Sequence, residues 1–265
     1  MWRKHHLATR CFRRANGNIP IPKPPPTPHE HEHEHQHVNE HAHEHAHEHE
    51  RATLAKHMVD IIEISSPAKR NALDATLCQH LIDRLARLET SGARAAILTG
   101  DPTGRAFCAG FDLGALGDLA AADRAFSSLI EAVSACRVPL IAALNGAAVG
   151  GGCELAATCD LRVAHPGVKL AMPPARLGIV YPPRGLARFA ALCGESRARQ
   201  LFLAARTVDA EEAHRWGLVD FVVPTADVRP RAEALAAEIA ALDPAAVQGM
   251  RALFERRLGA RSAGS

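Results

Sequence analysis

The sequence predicts an α/β fold with parallel strands joined by helical crossovers, followed by a mainly helical C-terminal third. Strand-like and helix-like runs alternate from Met58 onward, and two strand-like runs end in glycine-rich turns, at 105–112 and 145–154. That order is the one parallel sheets with crossover helices produce. Met58 to Ile64 reads as the first strand. Asp74 to Glu89 reads as a helix, because Leu77, Leu81, Leu85 and Leu88 fall on one stripe and Asp74 is placed to cap it. Strands follow at Ala95 to Gly100 and Leu140 to Leu144, then a glycine-led helix through Cys153 to Ala157. Shorter strands are expected at Leu161 to Ala164, Lys169 to Met172 and Phe221 to Val223, with helices near Glu195 to Ala205, Asp209 to Trp216 and Arg229 to Leu242. The last helix opens on Asp243-Pro244, a cap followed by a first-position proline, and is expected to stop at Gly259.

Composition narrows the function. Of 265 residues, 47% are hydrophobic, enough for a folded core, while a net charge of +2 and 4% aromatics supply no basic, aromatic-laced stripe for nucleic acid. Val138 to Ala157 is the most apolar stretch, yet Asn145, the glycines and Glu154 make it a poor membrane span. Seven scattered cysteines without a C-x-x-C pair imply free, mostly buried thiols in a reducing compartment, so a cytoplasmic protein is expected. Residues 1–50 read as a disordered extension: a basic opening, a proline-rich run and an alternating His/Glu tract from His29 to Glu50. The opening carries Arg3, Lys4, Arg10, Arg13 and Arg14 before any acidic residue, which makes a mitochondrial transit segment the alternative. Imidazoles in the tract offer zinc, nickel or copper many weak, interchangeable sites, and no metal is assigned to the body. The division is an extension over 1–50, a core over 51–205 and a helical region over 206–265.

The chemistry gathers at the glycine turns. Gly150, Gly151 and Gly152 stand directly before a helix, where exposed amides and the helix dipole favour negative charge. Glu154 falls in the first turn of that helix, within reach of whatever those amides hold. Two readings stand for Glu154: a working acid/base whose burial raises its pKa, or a buried carboxylate that fixes its helix.

Pro67-Ala68-Lys69-Arg70-Asn71-Ala72-Leu73, Ala106-Phe107-Cys108-Ala109-Gly110-Phe111-Asp112, Asn145 to Glu154 and Cys159-Asp160-Leu161-Arg162 follow in order. In this arrangement the chain resembles the crotonase superfamily of enoyl-CoA hydratases and isomerases, from about Met58 to Leu258. The resemblance implies a spiral of repeated ββα units, a homotrimer or dimer of trimers, and an acyl-CoA substrate whose coenzyme A is part of the substrate, with no separate cofactor. It implies that the Phe111 and Gly151 amides bind the thioester oxygen, the arrangement that stabilises an enolate. It also places Arg70 near coenzyme A phosphates and Ala109, Gly110, Ala147 and Gly150 along the thioester channel. Arg70 reads equally well as a surface arginine beside Lys69. Asp112 is expected to order its loop.

The chain departs from the hydratase pattern at Pro174, which occupies the position of a second glutamate. The run from Met172 to Tyr181 is similar to the methylmalonyl-CoA decarboxylase branch, in which a tyrosine orients the substrate carboxylate. That branch has histidine where this chain has Phe111. Tyr181 is either a pocket hydroxyl or a core tyrosine satisfied by backbone. The expected function is hydratase/lyase-type chemistry on an acyl-CoA, with Phe111, Gly151, Glu154 and Tyr181 as the catalytic set. The alternatives are decarboxylation of a malonyl-CoA-type substrate and a non-catalytic acyl-CoA-binding relative. A peptidase on the related spiral fold would need Cys153 as nucleophile, and His80, His165 and His214 supply no triad by position.

Overall fold

The computed structural model describes residues 57–112 and 119–263. The extension over 1–50, with its metal-binding and targeting readings, lies outside the described residues, as does 113–118. The strands are β1 (Val59–Ile64), β2 (Ala95–Gly100), β3 (Ala106–Cys108), β4 (Leu140–Leu144), β5 (Ala147–Val149), β6 (Leu161–Ala164), β7 (Lys169–Ala171), β8 (Thr207–Asp209) and β9 (Phe221–Val222). The α-helices are α1 (Ala75–Ser91), α2 (Leu119–Ala135), α3 (Gly151–Thr158), α4 (Pro183–Cys193), α5 (Glu195–Phe202), α6 (Ala210–Trp216), α7 (Val228–Ala240) and α8 (Pro244–Ala263).

One sheet runs β1-β2-β4-β6-β9, wholly parallel, and a second runs β3-β5-β7-β8, parallel except at β7 and β8. The steps β2 to β3, β4 to β5 and β6 to β7 each carry the chain from the first sheet to the second before it winds on. This is the ββα spiral that the resemblance implies.

The first sheet is covered on both faces, which is why its strands are continuous apolar runs. Ile62, Ile64, Leu98, Ala142 and Leu144 join the larger core with the buried residues of α1. Their alternate neighbours Ile97, Ile141, Ala143 and Val163 pack on Val228, Ala232, Leu235 and Ala236 of α7. Asp74 caps α1 as expected, accepting the Leu77 N–H at 2.8 Å. Its buried stripe is Cys78, Leu81, Leu85 and Leu88, with Leu77 only partly buried.

The structure differs from the sequence reading in several elements. The helices α2 and α4 and the three-residue strands β3, β5 and β8 were not expected. The α2 segment begins at the edge of the described residues. The α4 start at Pro182-Pro183 looks like a loop, yet proline at the first position fits a helix whose first N–H groups have no intrahelical partner. The last helix does not stop at Gly259 but continues to Ala263, since an internal glycine costs a helix only about 1 kcal/mol.

Asparagines fix the corners between sheets. Asn145, between β4 and β5, accepts the Gly100 N–H at 3.2 Å and donates to the Gly100 carbonyl at 2.7 Å. Gly100 must be glycine, because a Cβ there would lie 2.4 Å from the Ala106 carbonyl oxygen. Asn71 is fully buried, at φ 57°, and donates to the carbonyls of Asp101 at 2.9 Å and Ala106 at 2.8 Å. Arg251 of α8 joins the ends of two other helices. Its guanidinium donates to the carbonyls of Val133 at 2.9 Å and Ser134 at 3.0 Å, to that of Cys136, and to Asp160 Oδ2 at 2.9 Å.

Replacing Asn71 by alanine takes a donor from the buried Ala106 carbonyl and from the partly buried Asp101 carbonyl, which costs about 2–3 kcal/mol. The urea midpoint of Asn71→Ala is expected to fall with no change in the slope of the transition, and an unchanged midpoint refutes the corner role.

Candidate active site

The site begins with the pairing of β3 and β5, in which Ala106 sits opposite Ala147 and Cys108 opposite Ala148. Parallel neighbours end at the same edge of the sheet, so the 109–112 turn and the Gly150-Gly151 turn emerge side by side. Gly110 has φ 97°, and a Cβ on it would lie 2.7 Å from the Val149 carbonyl oxygen and 3.6 Å from Gly151 N. Only glycine allows that approach. A Cβ on Gly152 would sit 2.3 Å from the Cys108 carbonyl oxygen, so the start of α3 also depends on a bare backbone.

Phe111 forms an isolated parallel bridge with Leu73. The bonds of that bridge run from Leu73 N–H to the Gly110 carbonyl and from Asp112 N–H to the Leu73 carbonyl, both at 2.7 Å. The Phe111 N–H therefore faces away from Leu73. Gly151 is the first residue of α3, where a helix leaves its amide without an intrahelical acceptor. The Phe126 ring lies against it, with Cε2 3.0 Å from where a Gly151 Cβ would stand.

Phe126 also lines a cavity of about 220 Å³ together with Ile130, Glu154, Ile179, Tyr181 and Gly185. Glu154 is 5% exposed. Its Oε2 accepts a short hydrogen bond from the Tyr181 hydroxyl, and its Oε1 lies 3.8 Å from Arg188 Nη1. Gly185 makes room for the pair, since a Cβ there would meet Tyr181 Cε1 at 2.6 Å and Glu154 Oε1 at 2.9 Å. Burial is the largest influence on Glu154 and raises its pKa. The Tyr181 hydrogen bond and the charges of Arg188 and Arg184 oppose that rise, and Asp123 adds to it. Burial, with the Glu154 charge behind it, also raises the Tyr181 phenol, so this hydroxyl stays a donor. Arg184 and Arg188 of α4 and Asp123 of α2 were not singled out from sequence. The R-G-x-x-R spacing after Tyr181, one helical turn apart, was the available signal for the arginines.

The remaining expected residues fall around this centre. Ala109 donates its N–H to the Arg70 carbonyl at 3.2 Å, which ties the Arg70 loop to the turn before Phe111. Arg70 is exposed, at φ 57°, and does not line the cavity. Asp112 orders its loop as expected, through Lys69 Nζ at 2.6 Å. Pro174 is buried at the head of a short 3-10 turn, Pro174–Leu177, and its carbonyl accepts the Ile179 N–H at 3.0 Å. The carboxylates that share the cavity lining with Glu154 are Asp123 and Glu131, both on α2. Cys153 is buried, which pushes its thiol up to about 12, opposite to an activated nucleophile. All six cysteines in the described residues are free and buried.

Fold and site together define a crotonase-type spiral with two glycine-dependent turns above a buried carboxyl. The Enoyl-CoA hydratase/isomerase family profile matches residues 55–263, and the chain belongs to that family. A Mycobacterium tuberculosis protein named as a probable enoyl-CoA hydratase is 39% identical over 189 residues, covering 71% of this chain and 74% of its own. The crystal structure of enoyl-CoA hydratase subunit I from Geobacillus kaustophilus superposes with a TM-score of 0.70 at 30% identity, over 76% of this chain and 79% of that one. A monofunctional enoyl-CoA isomerase from Mycobacterium smegmatis superposes with a TM-score of 0.66 at 28% identity, over 76% of this chain and 89% of its own.

A carboxyl whose folded pKa is raised favours the folded state when protonated, and that contribution is lost as pH climbs from the ordinary value of 4.5 through the raised one. Glu154→Gln cannot lose it. The melting temperature of Glu154→Gln relative to wild type is expected to rise between pH 4 and pH 8, and a pH-independent difference refutes the buried, raised carboxyl.

Proposed function

We propose that this protein processes an acyl-CoA thioester by hydratase/lyase-type chemistry in which one carboxyl, Glu154, moves the proton. The observation that carries the reading is the approach of the Gly110-Phe111 turn to Gly151 beside a buried glutamate. In this reading the Phe111 and Gly151 amides hold the thioester oxygen. They bind it more strongly as it gains enolate charge, and the loss of one such donor costs about 3–4 kcal/mol of barrier stabilisation. Gly110 lets the backbone come close, Gly150 takes the φ of 53° that turns the chain into α3, Ala109 and Ala147 keep the channel narrow, and exposed Arg70 is available to coenzyme A phosphates. Coenzyme A enters as part of the substrate, and no other cofactor is invoked.

With Pro174 in place of a second glutamate, the step is written through one group. As water oxygen bonds to the β carbon of the enoyl thioester, the Glu154 carboxylate takes a water proton and the π electrons move to the thioester oxygen. The enolate then collapses as Glu154 returns that proton to the α carbon. The net change is addition of water, and Glu154 ends as it began. Tyr181 holds the carboxyl in place through its hydrogen bond.

Decarboxylation of a malonyl-CoA-type substrate is the second reading, favoured by Pro174 and Tyr181. The cavity's charge weighs against it. Among the described residues that line the cavity, Asp123, Glu131 and Glu154 outnumber the one cation, Arg184, so a substrate carboxylate would enter against like charge. The buried thiols and the absence, among the described residues, of a helix long and apolar enough to cross a membrane suit a cytoplasmic protein. A homotrimer or dimer of trimers belongs to the same reading and accounts for apolar side chains left exposed at Val180 (94%), Leu203 (76%) and Phe254 (72%). Light scattering of the purified protein is expected to return a multiple of three chains, and a monomer sinks the assembly.

Purified protein is expected to hydrate crotonyl-CoA and leave methylmalonyl-CoA intact. Glu154→Gln should lower the hydration rate about 10²–10⁴-fold with thioester binding retained, and Gly110→Ala should lower it about 10²–10³-fold. Carbon dioxide release from methylmalonyl-CoA would select the second reading, and tight binding without turnover on either substrate would select a non-catalytic acyl-CoA-binding protein.

A further inference from the structure

Arg188 stands between two carboxylates and is committed to neither. Its side chain is 3% exposed, with Nη1 3.8 Å from Glu154 Oε1 and Nη2 3.7 Å from Glu255 Oε2. Its direct hydrogen bond goes elsewhere, from Nη2 to Ser134 Oγ at 2.8 Å. Arg188 Nη1, Glu255 Oε2 and Arg184 Nε are all buried without a hydrogen-bond partner among the described residues, and Arg184 Nη2 lies 3.8 Å from the same Glu255 oxygen. A buried guanidinium facing a single carboxylate closes on it in a two-pronged pair. Here α8 brings a second carboxylate to the other side, and the fork stays open.

We infer that Glu255 is a positioning residue: acting through Arg188, it keeps the guanidinium from closing on Glu154 and so sets the charge state in which Glu154 works. This rests on the reading of Glu154 as the proton-moving carboxyl. The groups facing Glu154 are the Tyr181 hydroxyl, Arg184 and Arg188 from the α4 side and Asp123 from α2, with Glu131 also on the cavity wall. Of these, Arg188 is the one whose position Glu255 contests directly, with Arg184 sharing the same Glu255 oxygen. Without Glu255, Arg188 is free to pair with Glu154, and a carboxylate so paired keeps its charge to lower pH. The α8 helix itself does not depend on Glu255, because Arg251 anchors it.

The test is a ¹³C titration of the Glu154 carboxyl in the intact protein, assigned by the signal missing in Glu154→Gln. Glu255→Gln is expected to lower the midpoint by about one pH unit, and Arg188→Gln to raise it. In the Arg188→Gln background, Glu255→Gln should shift the midpoint by less than half as much as in wild type. Should Arg188→Gln fail to fold, Arg188→Lys keeps the charge without the fork and should also blunt the Glu255→Gln shift. An unmoved midpoint in Glu255→Gln overturns the inference, as does a shift of equal size with and without the Arg188 fork. The acidic limb of kcat/KM should move with the titration. A titration that moves while that limb stays fixed upholds the positioning by Glu255 and refutes Glu154 as the proton-moving group.

Discussion

The close approach of two backbone turns at the ends of β3 and β5 is the constraint on which the site depends. Side-chain-bearing residues cannot meet the requirement. A methyl group on Gly110 would press into the Val149 carbonyl, and one on Gly152 into the Cys108 carbonyl. Parallel pairing brings both strands to the same edge, and the missing Cβ atoms then let peptide groups from residues about forty positions apart sit as neighbours. The corner asparagines serve the same end. Asn145 locks the crossing from the first sheet to the second at β4, and Asn71 locks the neighbouring crossing before β3. The proposed anion-binding role of the two amides calls for such rigidity, because preorganised dipoles stabilise charge only when they do not reorient as it forms.

Around that backbone the protein places a carboxyl under opposed influences. Burial favours the neutral acid, and so does Asp123. Tyr181, Arg184 and Arg188 favour the anion. In the proposed reading Glu154 both takes and returns a proton, and such a group works best when neither form is strongly preferred. The proline at 174 and the carboxylates of α2 alter how that balance is reached. The first removes a partner acid, and the second add negative charge to the cavity wall.

Much of this was legible in the chain, and the rest was hidden for physical reasons. The strands of the first sheet were readable because burial on both faces makes unbroken apolar runs, as in Ala95–Gly100 and Leu140–Leu144. Glycines announced the turns, since few other demands put three in a row before a helix. Asp74 and Asp209 marked helix starts, and both accept the backbone N–H three residues on. Of the second sheet β7 was readable, whereas β3, β5 and β8, at three residues each, are too short for a period to emerge. The helix at Pro183 was masked by consecutive prolines, which suit a helix entrance as well as a loop. Arg188 was invisible because its meaning lies in Glu255 and Ser134, partners 67 and 54 residues away. Periodicity and local motifs report on neighbours along the chain, whereas a buried ion pair reports on neighbours in space.

The clamp made by Arg251 sets an order of events for synthesis. Its guanidinium holds the C-terminal carbonyls of α2, the helix whose Phe126 and Ile130 form one wall of the cavity. The bond spans 117 residues, from Arg251 back to Ser134. A nascent chain has made both glycine turns long before that clamp leaves the ribosome, and contacts of such separation form late. The wall is therefore fastened by a residue that emerges 117 positions after Ser134, so a chain that has not reached Arg251 carries the peptide turns without a finished chamber.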